Sequence, residues 1–228
     1  MQRLGELVAT AGIVAVPLLI FSVVAIALVI ERSIFWYRVN KRQTKVAKEV
    51  LRDYRHDQEL AKQRLKRQIN LPLARIFLAA IDLDDAEPDE LALAISGAIQ
   101  AEIPVIKRFN NIFDTIIALA PLLGLLGTVL GLIQSFGSID LGNIGGTESA
   151  GVTSGISEAL TSTALGLVVA VFTLFFANIF RGFYLRQIAL FQEYTAELEL
   201  VHRRYHRRTI QHFESPESLE VSYATPDH

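Results

Sequence analysis

Apolar positions gather into three blocks of membrane length, separated by polar segments with helical periodicity. The first block, "AGIVAVPLLIFSVVAIALVI", is an uncharged run over residues 11–30. At about 1.5 Å rise per residue it spans roughly 30 Å, the thickness of bilayer hydrocarbon. The second block covers 112–136 and the third 156–180, and each carries one acid near an end, Asp114 and Glu158. The first block departs from a secretory signal pattern, because only Arg3 precedes it and "ERSIFWYR" follows. That flank is a stop-transfer sequence with an aromatic belt of Phe35, Trp36 and Tyr37.

Between the blocks the pattern predicts more helix. Val46, Val50, Tyr54, Leu60, Leu65 and Ile69 form an approximate helical stripe. The acidic stretch "DLDDAEPDE" marks a turn, with Pro88 opening the next helix. That helix is expected over 91–111, running into the second span with a kink at Pro104. Beyond the third span, Ile188, Phe191, Tyr194, Leu198, Val201 and Tyr205 recur at three or four, so this span is expected to continue as one long helix. The predicted fold class is an all-α membrane protein with three transmembrane helices and long helical extensions. Its expected divisions are 1–10, spans at 11–30, 112–136 and 156–180, a helical domain over 31–111, a loop over 137–155, an extension over 181–213 and a disordered tail over 214–228.

Charge sets the expected orientation. One basic residue precedes the first span, fifteen lie between Glu31 and Asn110, none lies within 137–155, and six follow the third span. Arg32, Arg38, Lys41, Arg42, Lys107 and Arg108 sit at the membrane ends, where the positive-inside rule counts most. The N-terminus and the 137–155 loop are therefore expected outside, and the large loop and C-terminus inside.

Composition removes several functions. There are no cysteines, which excludes disulfides, zinc–thiolate sites and thiol catalysis. The net charge of −2 carries no separate basic domain, so nucleic acid is not an expected partner. His202 and His206 have i, i+4 spacing, but no HExxH arrangement surrounds them and no metal is expected. No Ser/His/Asp arrangement supports an enzyme, and no cofactor is implied.

The chemistry lies in the second and third spans. "APLLGLLGTVLGLIQSF" places Gly124, Gly127 and Gly131 on one helix face, where small residues let backbones approach closely. Thr128 sits inside this cluster; a lone membrane threonine ordinarily bonds its own i−4 carbonyl. "SEALTSTALG" opens the third span with Glu158, Thr161, Ser162 and Thr163, followed by Gly166. Positions 159, 163, 166 and 170 form a small-residue stripe, with Thr161 and Ser162 within reach of the Glu158 side. Counted from the span ends, Thr128 and Thr163 both lie about 10–12 Å below the outer boundary. Glu158 is either an interfacial acid at a helix start or a functional intramembrane charge. Asp114, beside Asn110 and Asn111, could line the inner exit.

The pair "LLGTVLGLIQSF" and "ISEALTSTALGLVVAV" resembles the MotA/TolQ/ExbB proton-channel family, and the three-span layout resembles its TolQ/ExbB branch over roughly residues 10–205. The resemblance implies a homo-oligomeric ring, typically a pentamer, in the bacterial inner membrane. It also implies a single-span ExbD/TolR-like partner whose membrane aspartate carries protons, and a TonB-like protein as a possible further partner. By motif, Thr128, Glu158 and Thr163 would line the proton pathway, with Thr161 and Ser162 as further pore hydroxyls. The implied function is a motor subunit that uses the proton motive force for outer-membrane transport, with a TolQ-like envelope role or a non-conducting scaffold as alternatives.

Overall fold

The computed structural model describes residues 12–83, 86–137 and 148–213. The expected 1–10 segment, most of the 137–155 loop, the tail over 214–228 and the His206 side chain lie outside the described residues. A short 3-10 turn, Gly12–Val14, leads into α1 (Ala15–Tyr54). Then follow α2 (Gln58–Arg67), α3 (Pro72–Ile81), α4 (Pro88–Ile106), α5 (Asn110–Gly137) and α6 (Glu148–Phe213). No strand occurs among the described residues. Three stretches, Ala15–Tyr54, Pro88–Gly137 and Gly151–Tyr205, are each long and apolar enough to cross a membrane. The chain divides into two compact units, Met1–Ile34 with Arg108–Gly182, and Phe35–Lys107 with Phe183–His228.

In the first unit, α5 and α6 bury a seam of small residues. Ala120, Gly124, Gly127, Gly131 and Ser135 face inward on α5, and Gly155, Ala159, Ser162, Gly166, Ala170 and Thr173 on α6. The remaining surface is apolar and exposed, as at Leu122, Leu125, Leu160, Val168 and Val171. That is the distribution expected where lipid tails replace water as the surrounding medium. The start of α1 packs on one edge of the pair: Val14 and Leu18 join Ala120 and Ala170, with Phe21, Leu123, Leu165 and Val169 around them. At the other end of this unit Arg32 is buried, bonded to Glu31 (Nε to Oε2, 2.7 Å) and lying over the Phe109 ring at 5.1 Å. Arg108 lies over the same ring at 4.6 Å.

The helix break before α5 falls at Phe109 rather than at the expected Pro104 kink. Pro104 is accommodated within α4, whereas Phe109 takes a positive φ of 70°. A bulky residue adopts that region only where surrounding contacts compensate the strain. Here the two guanidiniums hold its ring, and its carbonyl accepts the Ile112 and Phe113 N–H groups that start α5.

The second unit has a conventional apolar core of Val50, Leu65, Ile76, Phe77, Leu91, Ile106, Phe191 and Leu198. The stripe expected on one helix from Val46 to Ile69 is split between α1 and α2. The Asp53 carbonyl accepts the His56 and Asp57 N–H groups and turns the chain, and Asp57 then caps α2 by accepting the Leu60 N–H at 3.1 Å. Val50, Tyr54 and Leu65 are buried, while Leu60 and Ile69 are exposed. Pro88 opens α4 as expected, where the Glu90 carboxylate accepts the Glu87 N–H at 3.0 Å. α3 was not singled out by the periodicity; Pro72 at its first turn is its only strong signal. Trp36 is not part of an exposed belt: it is buried against Phe183, with ring centroids 5.8 Å apart, and Tyr37 alone of the three aromatics is strongly exposed. On the same core, Arg75 forks onto Glu102 with two bonds of 2.6 Å.

Candidate functional site

The site is built on the contact between α5 and α6. A side chain at any seam glycine would collide with the facing helix. A Cβ on Gly131 would stand 2.8 Å from the Gly155 carbonyl oxygen, and one on Gly166 would stand 2.5 Å from that of Ala120. A Cβ on Gly127 would meet the Ser162 hydroxyl, and one on Gly124 would stand 3.0 Å from the Thr163 Cα. These distances are below normal carbon contact, so the glycines set how closely the backbones lie. Gly124, Gly127, Gly131 and Gly166 therefore do pack the pair, and Gly155 belongs with them.

The same contacts fix the register. Ala120 faces Gly166, Gly124 faces Ser162, and Gly131 faces Gly155. Thr128 is consequently level with Glu158 and Ala159. Thr163 lies about five residues, or roughly 7 Å, farther from the 138–147 connection. The depth count from the span ends placed both threonines in one layer. The seam contacts correct it, because the helices extend past those compositional ends and slide until glycine meets carbonyl.

Helical phase separates the polar residues again. At about 100° per residue, Glu158 lies only about 20° from Leu165, on the edge of α6 that carries this leucine. Thr163 lies about 160° from Leu165, and Thr128 about 140° from Leu123, so both threonines occupy the edge away from those two leucines. Thr128 and Thr163 thus form two rungs on one edge, and Glu158 stands on the other.

Hydrogen bonds refine each role. The Thr163 hydroxyl donates to the Gly124 carbonyl at 3.0 Å. Ser162 is fully buried in the seam and donates to its own Ala159 carbonyl at 2.8 Å, with Gly124 O farther off at 3.4 Å. That burial makes Ser162 a packing residue, and it takes the seam position expected for Thr163. Thr128 donates to the Leu125 carbonyl at 2.6 Å, the local bond of a membrane threonine, made to i−3 instead of i−4. Thr161 and Glu158 are half-buried and make no hydrogen bond among the described residues, and Asp114 is exposed. Ser135 and Thr173 are buried hydroxyls that the sequence did not single out; Ser135 reaches across to the Val152 carbonyl at 3.0 Å. Their signal was the unbroken four-and-three spacing of small residues from 120 to 135 and from 155 to 173.

The chemistry of this edge follows. Each threonine hydroxyl has spent its proton on a backbone carbonyl and keeps oxygen lone pairs to accept with. Two half-buried acceptors on an otherwise apolar helix pair can receive a donor such as a protonated carboxylic acid. No group of three or more metal-ligating side chains occurs among the described residues.

A close-packed pair of apolar helices carrying a hydroxyl edge and one half-buried acid belongs to an integral membrane protein, and its lineage is specific. The profile of the MotA/TolQ/ExbB proton channel family matches residues 68–193. The chain is 53% identical over 214 residues to "Putative biopolymer transport protein ExbB-like 3" of Synechocystis, covering 94% of this chain and 98% of that one. It is 36% identical over 193 residues to ExbB-like 1 of the same organism, covering 84% and 76%. Over 73 residues it is 44% identical to the biopolymer transport protein ExbB of Salmonella typhimurium, covering 32% and 29%. The chain belongs to the MotA/TolQ/ExbB proton channel family, on its ExbB-like branch.

Proposed function

We propose that this chain is a proton-channel motor subunit of a bacterial inner membrane, with its N-terminus periplasmic and its C-terminus cytoplasmic. Copies form a ring, taken as a pentamer, around a single-span ExbD/TolR-like partner with a membrane aspartate. The ring uses the proton motive force to energise outer-membrane transport through a TonB-like protein. The observation that carries this reading is the edge bearing Thr128 and Thr163, whose hydroxyls point acceptor lone pairs away from carbonyls they already serve.

On this reading the partner carboxyl is held in its protonated form by donating to a threonine oxygen. Burial in a low-dielectric site favours the same neutral form. Loss of the proton leaves a carboxylate facing two spent donors. The threonines must then turn to donate, or the partner must move toward water. The membrane field contributes about 2.3 kcal/mol per charge per 100 mV to such a cycle. Glu158, on the other edge and level with Thr128, draws cations toward the outer mouth, and Asp114 stands at the inner exit. Thr161 remains a further hydroxyl near Glu158.

The test is co-purification of the full chain with an ExbD/TolR-like single-span protein from the same organism, followed by reconstitution in liposomes. Potential-driven proton uptake that needs both proteins and the partner aspartate supports the proposal. Assembly without proton flux leaves the scaffold reading. A TolQ-like role shares this machinery, and separates by whether deletion impairs receptor-dependent uptake or envelope integrity.

A further inference from the structure

The edge that carries the two threonines does not end with them. At about 100° per residue, eighteen residues make about five whole turns of helix. Asn110 lies eighteen residues before Thr128 on α5, and Arg181 eighteen after Thr163 on α6. Both therefore return to the threonine edge, about 27 Å farther from the 138–147 connection. Asp114 lies within about 40° of Asn110 on the same side of α5. Between the two ends the edge is apolar, with Ile117 and Pro121 on α5 and Leu174 on α6.

Carried along, the seam register sets Asn110 about level with Phe176, and Arg181 about five residues, or roughly 7 Å, beyond it. Helical side chains lean toward the N-terminus of their own helix. In this antiparallel pair that turns Arg181 back toward Asn110 and turns Asp114 toward Arg181. None of the three side chains makes a hydrogen bond, ion pair or ring contact among the described residues, and Asp114 and Arg181 are exposed. A basic residue that only anchored the end of a span would need no particular helical phase. A cation entering the edge from this end meets the Arg181 guanidinium first, then Asn110, and Asp114 about one turn deeper. A fixed positive charge beside a low-dielectric wall repels it far more than the same charge in open water.

We infer that Asn110, Asp114 and Arg181 form the inner mouth of the threonine edge, where Arg181 sets a positive potential that turns metal cations back. The mouth follows from helix phase and register; its link to proton conduction rests on the function proposed above. The chain has no cysteine, so single cysteines can be labelled without background. In liposomes of the full-length protein, Asp114→Cys should react with charged methanethiosulfonates about tenfold faster than Thr115→Cys, its neighbour in depth about 100° around the helix, because charged reagents avoid hydrocarbon. At Asn110→Cys the anionic reagent should outpace the cationic one, with both rates normalised to a free thiol. Arg181→Gln should lower that ratio on the order of five- to tenfold, and Arg181→Lys should preserve it. Equal reactivity of Asp114→Cys and Thr115→Cys, or a ratio indifferent to Arg181→Gln, overturns the inference. The expected labelling without proton flux would support the mouth and count against the proposed function alone.

Discussion

The Thr163 hydroxyl reaches across the helix pair to the Gly124 carbonyl at 3.0 Å, tying the residue that flanks the seam to a glycine within it. Packing and proposed chemistry therefore meet in one side chain, and conservative variants can separate them. Thr163→Ser keeps the hydroxyl, and Thr163→Val keeps the shape without it. If the hydroxyl serves a proton pathway, Val should lower proton-driven output about tenfold, the scale of losing one hydrogen bond. Ser should retain most of it, at equal ring assembly by native mass spectrometry. Undiminished output for Val would remove Thr163 from the pathway.

Glu158 is half-buried with no partner among the described residues. Glu158→Gln preserves size and polarity but removes the charge. As a motor residue it should lose most of its proton flux in liposomes while assembling normally. The expectation of an acid at a helix start does not hold, because α6 begins at Glu148, ten residues before Glu158; a Glu158 with no part in conduction would leave flux intact.

Gly127 and Ser162 should be coupled. Gly127→Ala places a methyl against the Ser162 side chain, whose Cβ would be 2.5 Å away. Overpacking of this kind costs about 1–3 kcal/mol. Combining it with Ser162→Gly should recover part of that loss, which a double-mutant cycle in detergent unfolding would measure. Gly131→Ala meets the Gly155 carbonyl oxygen at 2.8 Å, and no side-chain truncation on α6 should rescue it.

In the second unit, the Tyr54 hydroxyl and His202 Nδ1 are 2.8 Å apart, and His202 Nε2 is 2.9 Å from the Ala86 carbonyl oxygen. The carbonyl can only accept, which places the ring proton of a neutral His202 on Nε2 and makes Tyr54 the donor. Burial, with Tyr205 nearby, pushes Tyr54 up to about 12. The raised value means the folded state prefers the neutral phenol. That stabilisation is fully present below about pH 10, the unfolded value, and fades as pH climbs toward 12. Ultraviolet titration should show one tyrosine ionising near 12 that Tyr54→Phe removes. The variant should also be about 1–3 kcal/mol less stable at neutral pH, because it breaks a buried hydrogen bond.

Much of this protein was legible in its sequence because lipid imposes simple rules. Twenty apolar residues must form a spanning helix, small residues at three and four must face another helix, and a polar cluster among them is rarely idle. Those rules gave the three membrane-length helices, the glycine seam, the long α6 and the family resemblance. The local helix ends were harder: Asp53, Asp57 and Phe109 redirect the chain through a few local hydrogen bonds and one unusual φ, which periodicity does not register.

The sequence by itself determined that Gly124, Thr128, Glu158 and Thr163 lie on helices able to pair in a membrane. Only the tertiary structure decided which of them meet. Register between two helices depends on where a glycine can touch a carbonyl, to within a fraction of an ångström. Counting residues from a compositional boundary errs by several. That contact moved Thr128 beside Glu158 in depth, put Ser162 in the seam, and left the two threonines together on one edge.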